Sequence, residues 1–112
     1  MTDAAFGEID VDELEVRLSA GAFLVDVRES DEYAAGHVRG AISVPLSELA
    51  QRVDECRDPR GGSTLLICQV GGRSARACGH LAGLGLDVAN VAGGTSAWIM
   101  SGRDVIEGSS PR

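Results

Sequence analysis

The chain has 112 residues, of which 44% are hydrophobic and 4% aromatic, and its formal net charge is −7. This length predicts one globular domain that buries roughly two thirds of the surface exposed by the unfolded chain. The negative charge argues against nucleic acid or an anionic membrane as a partner, because both carry the same sign of charge. All 10 basic residues are arginine, which excludes Schiff-base and lysine-base chemistry.

The sequence has no recognisable targeting segment. Residues 1–8 are acidic and lack the basic and apolar regions of a secretory signal, and no apolar run approaches the ~18 residues of a membrane span. The three cysteines, Cys56, Cys68 and Cys78, are odd in number and lack C-x-x-C spacing. This pattern favours a reducing compartment over a disulfide framework or a zinc site. We therefore expect a cytoplasmic protein without a metal ion or cofactor.

Strands and short helices alternate along the predicted chain. One short strand is predicted to end at Ile9, and further strands are predicted over residues 23–27, 41–44, 64–68 and 87–91, the strand over 23–27 from its continuous apolar character. Helices are predicted after a capping box of Asp10 with Glu13, after Ser30 as N-cap, from about Ser47 to Val53, over residues 73–84, and after Gly93 and Gly94. This alternation predicts an α/β fold with a mostly parallel sheet covered on both faces.

The last six residues differ from the rest of the chain in composition. Residues 107–112 contain glycine, two serines and proline without any apolar side chain besides that proline. Such a segment predicts a disordered tail. The domain is therefore assigned to residues 1–106.

The stretch that begins at Cys68 has the composition of a reactive site. An apolar run ends on this cysteine, Gly71 and Gly72 follow, and Arg73 and Ser74 open a helical pattern. A thiol between a parallel strand and a helix N-terminus lies where ligand sites form, and the helix dipole and loop N–H groups stabilise its anion. The glycines let the backbone turn inward, the arginine adds a cation, and the serine can donate to the sulfur or cap the helix. A buried structural cysteine before a glycine-rich turn is the simpler alternative.

Three segments in order give this loop a wider context. Residues 26–45 contain DVRE, then EY, GHVRGA and a proline; residues 68–74 read CQVGGRS, the pattern C-x-x-G-x-R-S; residues 91–102 contain VAGG, AW and a final glycine. Together they resemble the signatures of the rhodanese family of sulfurtransferases. The resemblance implies a single rhodanese-like domain with a five-stranded, mostly parallel sheet and helices on both faces.

The resemblance also implies an activity and a site. It implies that a sulfane sulfur passes from a donor such as thiosulfate or a persulfide to a thiol or cyanide acceptor, through a persulfide on Cys68 as the catalytic residue. The loop implied to bind the persulfide consists of Gln69, Val70, Gly71, Gly72, Arg73 and Ser74. Asp26, Arg28 and Arg76 are expected to support it.

Loop length and loop charge bear on the substrate. Four residues separate Cys68 from Arg73, one fewer than in the related cell-cycle phosphatases, so phosphatase and arsenate reductase activity are disfavoured. With Gln69 and Val70 in the loop, Arg73 is its one cation and Arg76 follows a turn later. Weak binding of anions is therefore expected. The alternative function is a protein-docking sulfur-relay or regulatory module with little small-molecule turnover, which adds a sulfur-accepting protein to the expected partners.

Other candidate residues have simpler interpretations. Asp26 and Arg28 are expected to bond neighbouring loops or shape the pocket, and His37 to orient a loop. His80 is expected to face solvent. Cys78 lies on the apolar face of its helix, a position that predicts packing in the core. Cys56 lies in a polar segment and is a candidate resolving thiol.

Overall fold

The computed structural model describes residues 5–112, and these form five strands, four α-helices and two short 3₁₀ helices. The strands are β1 (Gly7–Ile9), β2 (Phe23–Asp26), β3 (Ile42–Ser43), β4 (Thr64–Ile67) and β5 (Val88–Val91). The α-helices are α1 (Val11–Ser19), α2 (Ser30–Ala35), α3 (Gly72–Gly83) and α4 (Gly94–Met100). The 3₁₀ helices are Leu46–Gln51 and Val53–Cys56.

The strands form one parallel sheet. Their order is β1-β5-β4-β2-β3, and every neighbouring pair runs parallel. Strand β4 is central, between β5 and β2, and Cys68 follows it directly. The predicted five-stranded parallel α/β architecture is confirmed, and the cysteine lies at the carboxyl end of the central strand.

Side chains alternate between two core layers, as the two-residue period of a strand requires. On β4, Leu65 and Ile67 pack into the layer that contains Leu14 of α1 and Trp98 of α4. Leu66 and Cys68 belong instead to the opposite layer, which contains Ala77, Cys78 and Leu81 of α3. The Cys68 side chain is therefore directed to the α3 face of the sheet.

Two helix starts differ from their predictions in detail. The Asp10 carboxylate caps α1 by accepting the Glu13 N–H at 2.9 Å, whereas the Glu13 side chain bonds Arg17 one turn on. Helix α2 is capped by Glu29 rather than by Ser30, and Glu29 forms a capping box with Glu32. The first box is therefore half formed, and the second lies where none was predicted.

The segment predicted as a helix from Ser47 to Val53 forms two 3₁₀ helices instead of one α-helix. Its first turns close with i to i+3 bonds, such as Glu48 N–H to the Pro45 carbonyl at 2.8 Å. The backbone breaks at Arg52, where φ is −127°. Its guanidinium bonds the carboxylates on both sides of the break and the Ser43 carbonyl. Apolar residues three apart fit either helix type, so their spacing could not separate the two.

The C-terminal segment, for which disorder is predicted, makes hydrogen bonds to the end of α2 and to the residues that follow it. Gly108 N–H donates to the Ala34 carbonyl, and the Pro111 carbonyl accepts from Gly40 N–H at 2.8 Å. The imidazole of buried His37 lies 2.8 Å from the carbonyl of Ser110. The composition of the segment did not indicate these contacts.

Across residues 5–112, every helix is too short or too polar to cross a membrane.

Candidate active site at the Cys68 loop

The loop that connects β4 to α3 turns sharply around the sulfur of Cys68. Gly71 is the N-cap of α3 and has a φ of +111°, a left-handed conformation that favours glycine. A Cβ on Gly71 would approach the Gly93 backbone nitrogen to 3.4 Å. The thiol is almost fully buried, with only 1% of the residue exposed, so the site offers little more than the sulfur itself to a substrate.

Neutral hydrogen-bond donors surround this sulfur. Gly71 N–H donates to Sγ at 3.1 Å, and the Ser74 hydroxyl oxygen lies 3.2 Å from it. Burial acts most strongly on the pKa of Cys68 and raises it, but donation from the Ser74 hydroxyl and from the N–H groups of Ser74, Gly71 and Val70 outweighs burial. The net pKa is lowered, so the loop favours the thiolate, which is the nucleophilic form.

The N-terminus of α4 fixes the direction of the loop peptides. Thr95 donates to the Cys68 carbonyl through its N–H at 2.9 Å and its hydroxyl at 3.0 Å. Ser96 N–H donates to the Gln69 carbonyl at 2.9 Å. Because carbonyl and N–H point in opposite directions across a trans peptide, the N–H groups of residues 69 and 70 point away from α4. These contacts therefore direct the loop donors toward the sulfur.

A glycine makes this contact between α4 and the loop possible. Gly94 has a φ of +59°, and a Cβ there would lie 2.5 Å from the Cys68 carbonyl oxygen and 2.7 Å from that of Gln69. Any larger residue would push α4 off the loop. The sequence indicated this glycine as a helix start and as part of the VAGG segment, without its contact to the loop.

The cation of the loop is already paired. Arg73 forms two hydrogen bonds with the Glu32 carboxylate, at 2.7 and 2.9 Å. The bonds from Arg73 are the main cause that lowers the pKa of Glu32 to about 2, against a smaller raising effect of burial. Arg73 therefore brings little free positive charge to the sulfur, and Glu32 is a site residue that the sequence interpretation missed.

A second, buried ion pair holds the loop from the β2 side. Arg28 bonds Asp26 through both Nε and Nη2, the shortest contact being 2.8 Å, and both residues are buried. Its Nη1 donates to the Gln69 side chain at 3.1 Å, and the Gln69 amide donates to Ser96 Oγ at 2.8 Å. This chain of bonds links β2, the loop and α4.

The cleft beside the loop is open and mixed in character. Its volume is about 300 Å³. It is lined by Arg28, Glu32, Ala35, Gly36, Gln69, Thr95, Ile99 and Val105. Arg76, predicted to support the site, lies instead on the exposed side of α3, where it lines a separate groove with His80 and the first 3₁₀ helix.

The other two cysteines are buried and unreactive by environment. Cys56 lies in the second 3₁₀ helix rather than in a polar loop, and burial raises its pKa to about 11. Burial also raises the pKa of Cys78 to about 12. Burial and the raised pKa disfavour the resolving role predicted for Cys56, because a resolving thiol attacks as a thiolate.

Asn90 also belongs to the site and was not predicted. It lies on β5, is buried, and its Oδ1 is 2.5 Å from Ser74 Oγ. A polar residue inside a fully buried strand is a signal that sequence reading can use. No group of potential metal ligands is present among residues 5–112.

Comparison with known proteins identifies the family. The model of the rhodanese-like domain matches residues 10–101. The chain belongs to the rhodanese-like family. The family and fold predicted from the three motifs are thereby confirmed.

Individual relatives of this rhodanese-like chain support the assignment. YqhL of Bacillus subtilis is 41% identical over 78 residues, which are 69% of this chain and 60% of YqhL, so the chain spans less than two thirds of that protein. The thiosulfate sulfurtransferase GlpE of Pseudomonas putida is 36% identical over 90 residues, covering 76% of both chains. A rhodanese-related protein from Thermoplasma volcanium superposes with a TM-score of 0.82 at 33% identity, covering 90% of this chain and 98% of the other.

Proposed function

We propose that this protein is a sulfurtransferase that carries a sulfane sulfur as a persulfide on Cys68. The observation that carries the proposal is the pair of donors on the sulfur, Gly71 N–H at 3.1 Å and the Ser74 hydroxyl at 3.2 Å. Together with the neighbouring loop N–H groups they stabilise a sulfur anion. Family membership and the sulfurtransferase among its relatives support the same reaction class.

The transfer consists of two displacements at the outer sulfur. The Cys68 thiolate attacks the outer sulfur of the donor, forming a new S–S bond while the old one breaks. Sulfite leaves thiosulfate, or a thiolate leaves a persulfide, with the bonding electron pair. A thiol or cyanide acceptor then attacks the outer sulfur and the Cys68 thiolate leaves. Neither half-reaction needs an oxidant. The attacking group is the thiolate form of Cys68, and the loop donors lower the pKa at which it forms.

The charge around the Cys68 sulfur influences which sulfur donor the site binds better. Arg73 is paired with Glu32 and Arg28 with Asp26, so the site offers little net positive charge to dianionic thiosulfate. A persulfide group carries less negative charge than thiosulfate, so its binding requires only the loop N–H groups. We therefore propose a persulfide as the better donor, in a reducing cytoplasm consistent with the three free cysteines.

A protein acceptor is the second candidate partner. Val70 at the tip of the loop is 68% exposed, and Ile99 and Met100 of α4 are exposed as well. Exposed apolar side chains beside a reactive group favour docking of another protein over capture of a small ion. Slow turnover with every small acceptor, together with fast exchange with one protein thiol, would support this relay function.

Intact mass spectrometry tests the persulfide directly. Incubation with a donor should add about 32 Da, one sulfur atom, and cyanide should remove it. Cys68→Ser should abolish the gain, whereas Cys56→Ser, which changes a buried cysteine of the second 3₁₀ helix, should keep it. A Cys68→Ser variant with full turnover would refute the proposal. Steady-state rates with thiosulfate, mercaptopyruvate and glutathione persulfide would rank the donors.

A further inference from the structure

The Ser74 hydroxyl is surrounded by more acceptors than it has protons. Its oxygen lies 3.2 Å from Cys68 Sγ, 2.5 Å from Asn90 Oδ1 and 3.3 Å from the Gly71 carbonyl oxygen. Ser74, Cys68 and Asn90 are all buried, so water is not at hand to supply a missing bond. A hydroxyl has one proton and can donate it to one acceptor at a time.

The orientation of the Asn90 amide is fixed by its other contacts. Nδ2 lies 3.3 Å from both the Gly71 carbonyl oxygen and a Glu8 carboxylate oxygen. Both neighbours are acceptors, so a reversed amide would place Oδ1 against two oxygens. Oδ1 therefore faces Ser74. The Gly71 carbonyl already accepts from Ala75 N–H at 3.1 Å, which leaves Asn90 and Cys68 as the two competitors for the hydroxyl proton.

The competition has two outcomes that depend on the state of the sulfur. With Cys68 as a thiol, S–H donates to Ser74 Oγ and the hydroxyl donates to Asn90, so every group is satisfied. With a thiolate, the hydroxyl turns to the sulfur and Asn90 Oδ1 loses its donor. Within residues 5–112 no second donor to this oxygen is found. A buried acceptor without a donor raises the free energy of that state.

We propose that Asn90 is a positioning residue that competes with Cys68 for the Ser74 hydroxyl proton and so disfavours the bare thiolate. The proposal rests on the proposed function, in which Cys68 is the sulfur carrier. In the persulfide the negative charge moves to the outer sulfur, which the loop N–H groups hold, and the Ser74 proton returns to Asn90. Asn90 therefore favours both the protonated resting enzyme and the loaded enzyme over the unloaded anion.

The charged and titratable groups around the triad of Ser74, Cys68 and Asn90 come from four elements. Glu8 of β1 contacts the Asn90 amide nitrogen, and Arg73 and Cys78 belong to α3, of which Cys78 packs in the same core layer as Cys68. Further out, the loop is bordered by Glu32 of α2 and by Asp26 of β2 with its partner Arg28. Burial raises the pKa of Cys78 to about 12, so this thiol stays protonated while Cys68 titrates. None of these groups is itself substituted in the variants below. Asn90→Leu removes the Nδ2 contact to Glu8, but an effect that acts through Glu8 would persist in the Ser74→Ala background, whereas an effect that acts through the Ser74 proton would not.

The pKa of Cys68 is measured from the pH dependence of its alkylation by iodoacetamide, with peptide mapping to identify the modified residue. Asn90→Leu removes the competing acceptor at similar volume and should lower the pKa by about 0.5 to 1 unit, which corresponds to one buried hydrogen bond. Ser74→Ala removes the contested proton and should raise the pKa. In the Ser74→Ala background, Asn90→Leu should have no effect on the pKa.

Two controls separate this role from a structural one. Thr64→Val changes another buried polar residue, on β4, and should leave the pKa unchanged. Asn90→Asp keeps an oxygen toward Ser74 and should not lower the pKa of Cys68. If thermal unfolding shows that Asn90→Leu is misfolded, Asn90→Ala takes its place. A raised pKa in Asn90→Leu, or an equal shift with and without Ser74, overturns the proposal. Alkylation needs no sulfur donor, so failure of sulfur transfer would be seen separately.

Discussion

At the scale of single residues, the groups that contact the Cys68 sulfur are neutral, whereas the nearby cation is paired with a carboxylate. The Cys68 sulfur accepts from a backbone N–H and is contacted by a hydroxyl, while the guanidinium of Arg73 is engaged by Glu32. Neutral donors stabilise a sulfur anion without attracting every anion in solution. This arrangement supports the proposal that the site holds a covalently bound sulfur rather than a diffusing oxyanion.

The buried pair of Asp26 and Arg28 gives a prediction about stability. Arg28→Ala leaves the Asp26 carboxylate buried without a cation and should lower the free energy of unfolding by about 3–5 kcal/mol. Arg17→Ala breaks a solvent-exposed pair with Glu13 and should cost about 0.5 kcal/mol or less. Urea denaturation measures both. Equal losses in the two variants would show that burial does not govern the pair.

Sequence reasoning found the residues whose roles are local and missed those whose roles depend on the fold. Cys68, Gly71 and Ser74 lie within seven consecutive residues, so their order alone predicted a stabilised thiol. Glu32 bonds Arg73 from 41 positions away, and Asn90 bonds Ser74 from 16. Neither separation leaves a periodic pattern that could have predicted the contact.

At the scale of elements, α4 acts on the loop through its first turn. Gly94→Ala would place a Cβ against the carbonyls of Cys68 and Gln69, so we expect a loss well above the roughly 1–2 kcal/mol for a left-handed backbone, with loss of persulfide formation. Gly85→Ala is the matched control, because its φ is +91° and nothing lies within 4 Å of the added Cβ. Thermal unfolding and intact mass measure the two effects. Persulfide formation at the normal rate in Gly94→Ala would contradict this role of α4.

The order of elements was predictable, and the helix types were only partly so. Largely apolar segments predicted β2 to β5 within about two residues, because buried parallel strands are rich in apolar side chains. The segment after Pro45 has helical spacing, yet forms 3₁₀ turns that break at Arg52, where the guanidinium donates to the Ser43 carbonyl outside the helical segment. Contacts outside a segment can override its helix propensity.

At the scale of the whole molecule, the pair of Glu32 and Arg73 joins the two layers of the fold. Tyr33, next to Glu32 on α2, packs into the layer of α1 and α4, whereas α3 belongs to the opposite layer. The pair therefore bridges the layers at the carboxyl end of the sheet, beside Cys68. It is a tertiary contact that depends on the carboxylate being ionised.

Lowering the pH should weaken the ion pair of Glu32 and Arg73 over a defined pH range. Because the pKa of Glu32 falls from 4.5 to about 2 on folding, its contribution is present above pH 4.5 and is lost as the pH falls toward 2. The pair is about one third exposed, so solvent screening limits the contribution to about 1 kcal/mol. The gap in unfolding free energy between the native protein and Glu32→Gln should be constant above pH 5 and close toward pH 2. A gap that persists at pH 2, or a similar closing gap for the exposed Glu13→Gln, would contradict the assignment.

The contact between α4 and the loop has a consequence for hydrogen exchange. The first N–H groups of a helix usually lack a partner and exchange with solvent deuterium quickly. In α4 the N–H groups of Thr95 and Ser96 are bonded to the carbonyls of Cys68 and Gln69, so they should exchange slowly for as long as the loop is closed. These two amides, 27 positions beyond the residues that they bind, thus become an NMR reporter of loop opening that leaves the thiol itself untouched.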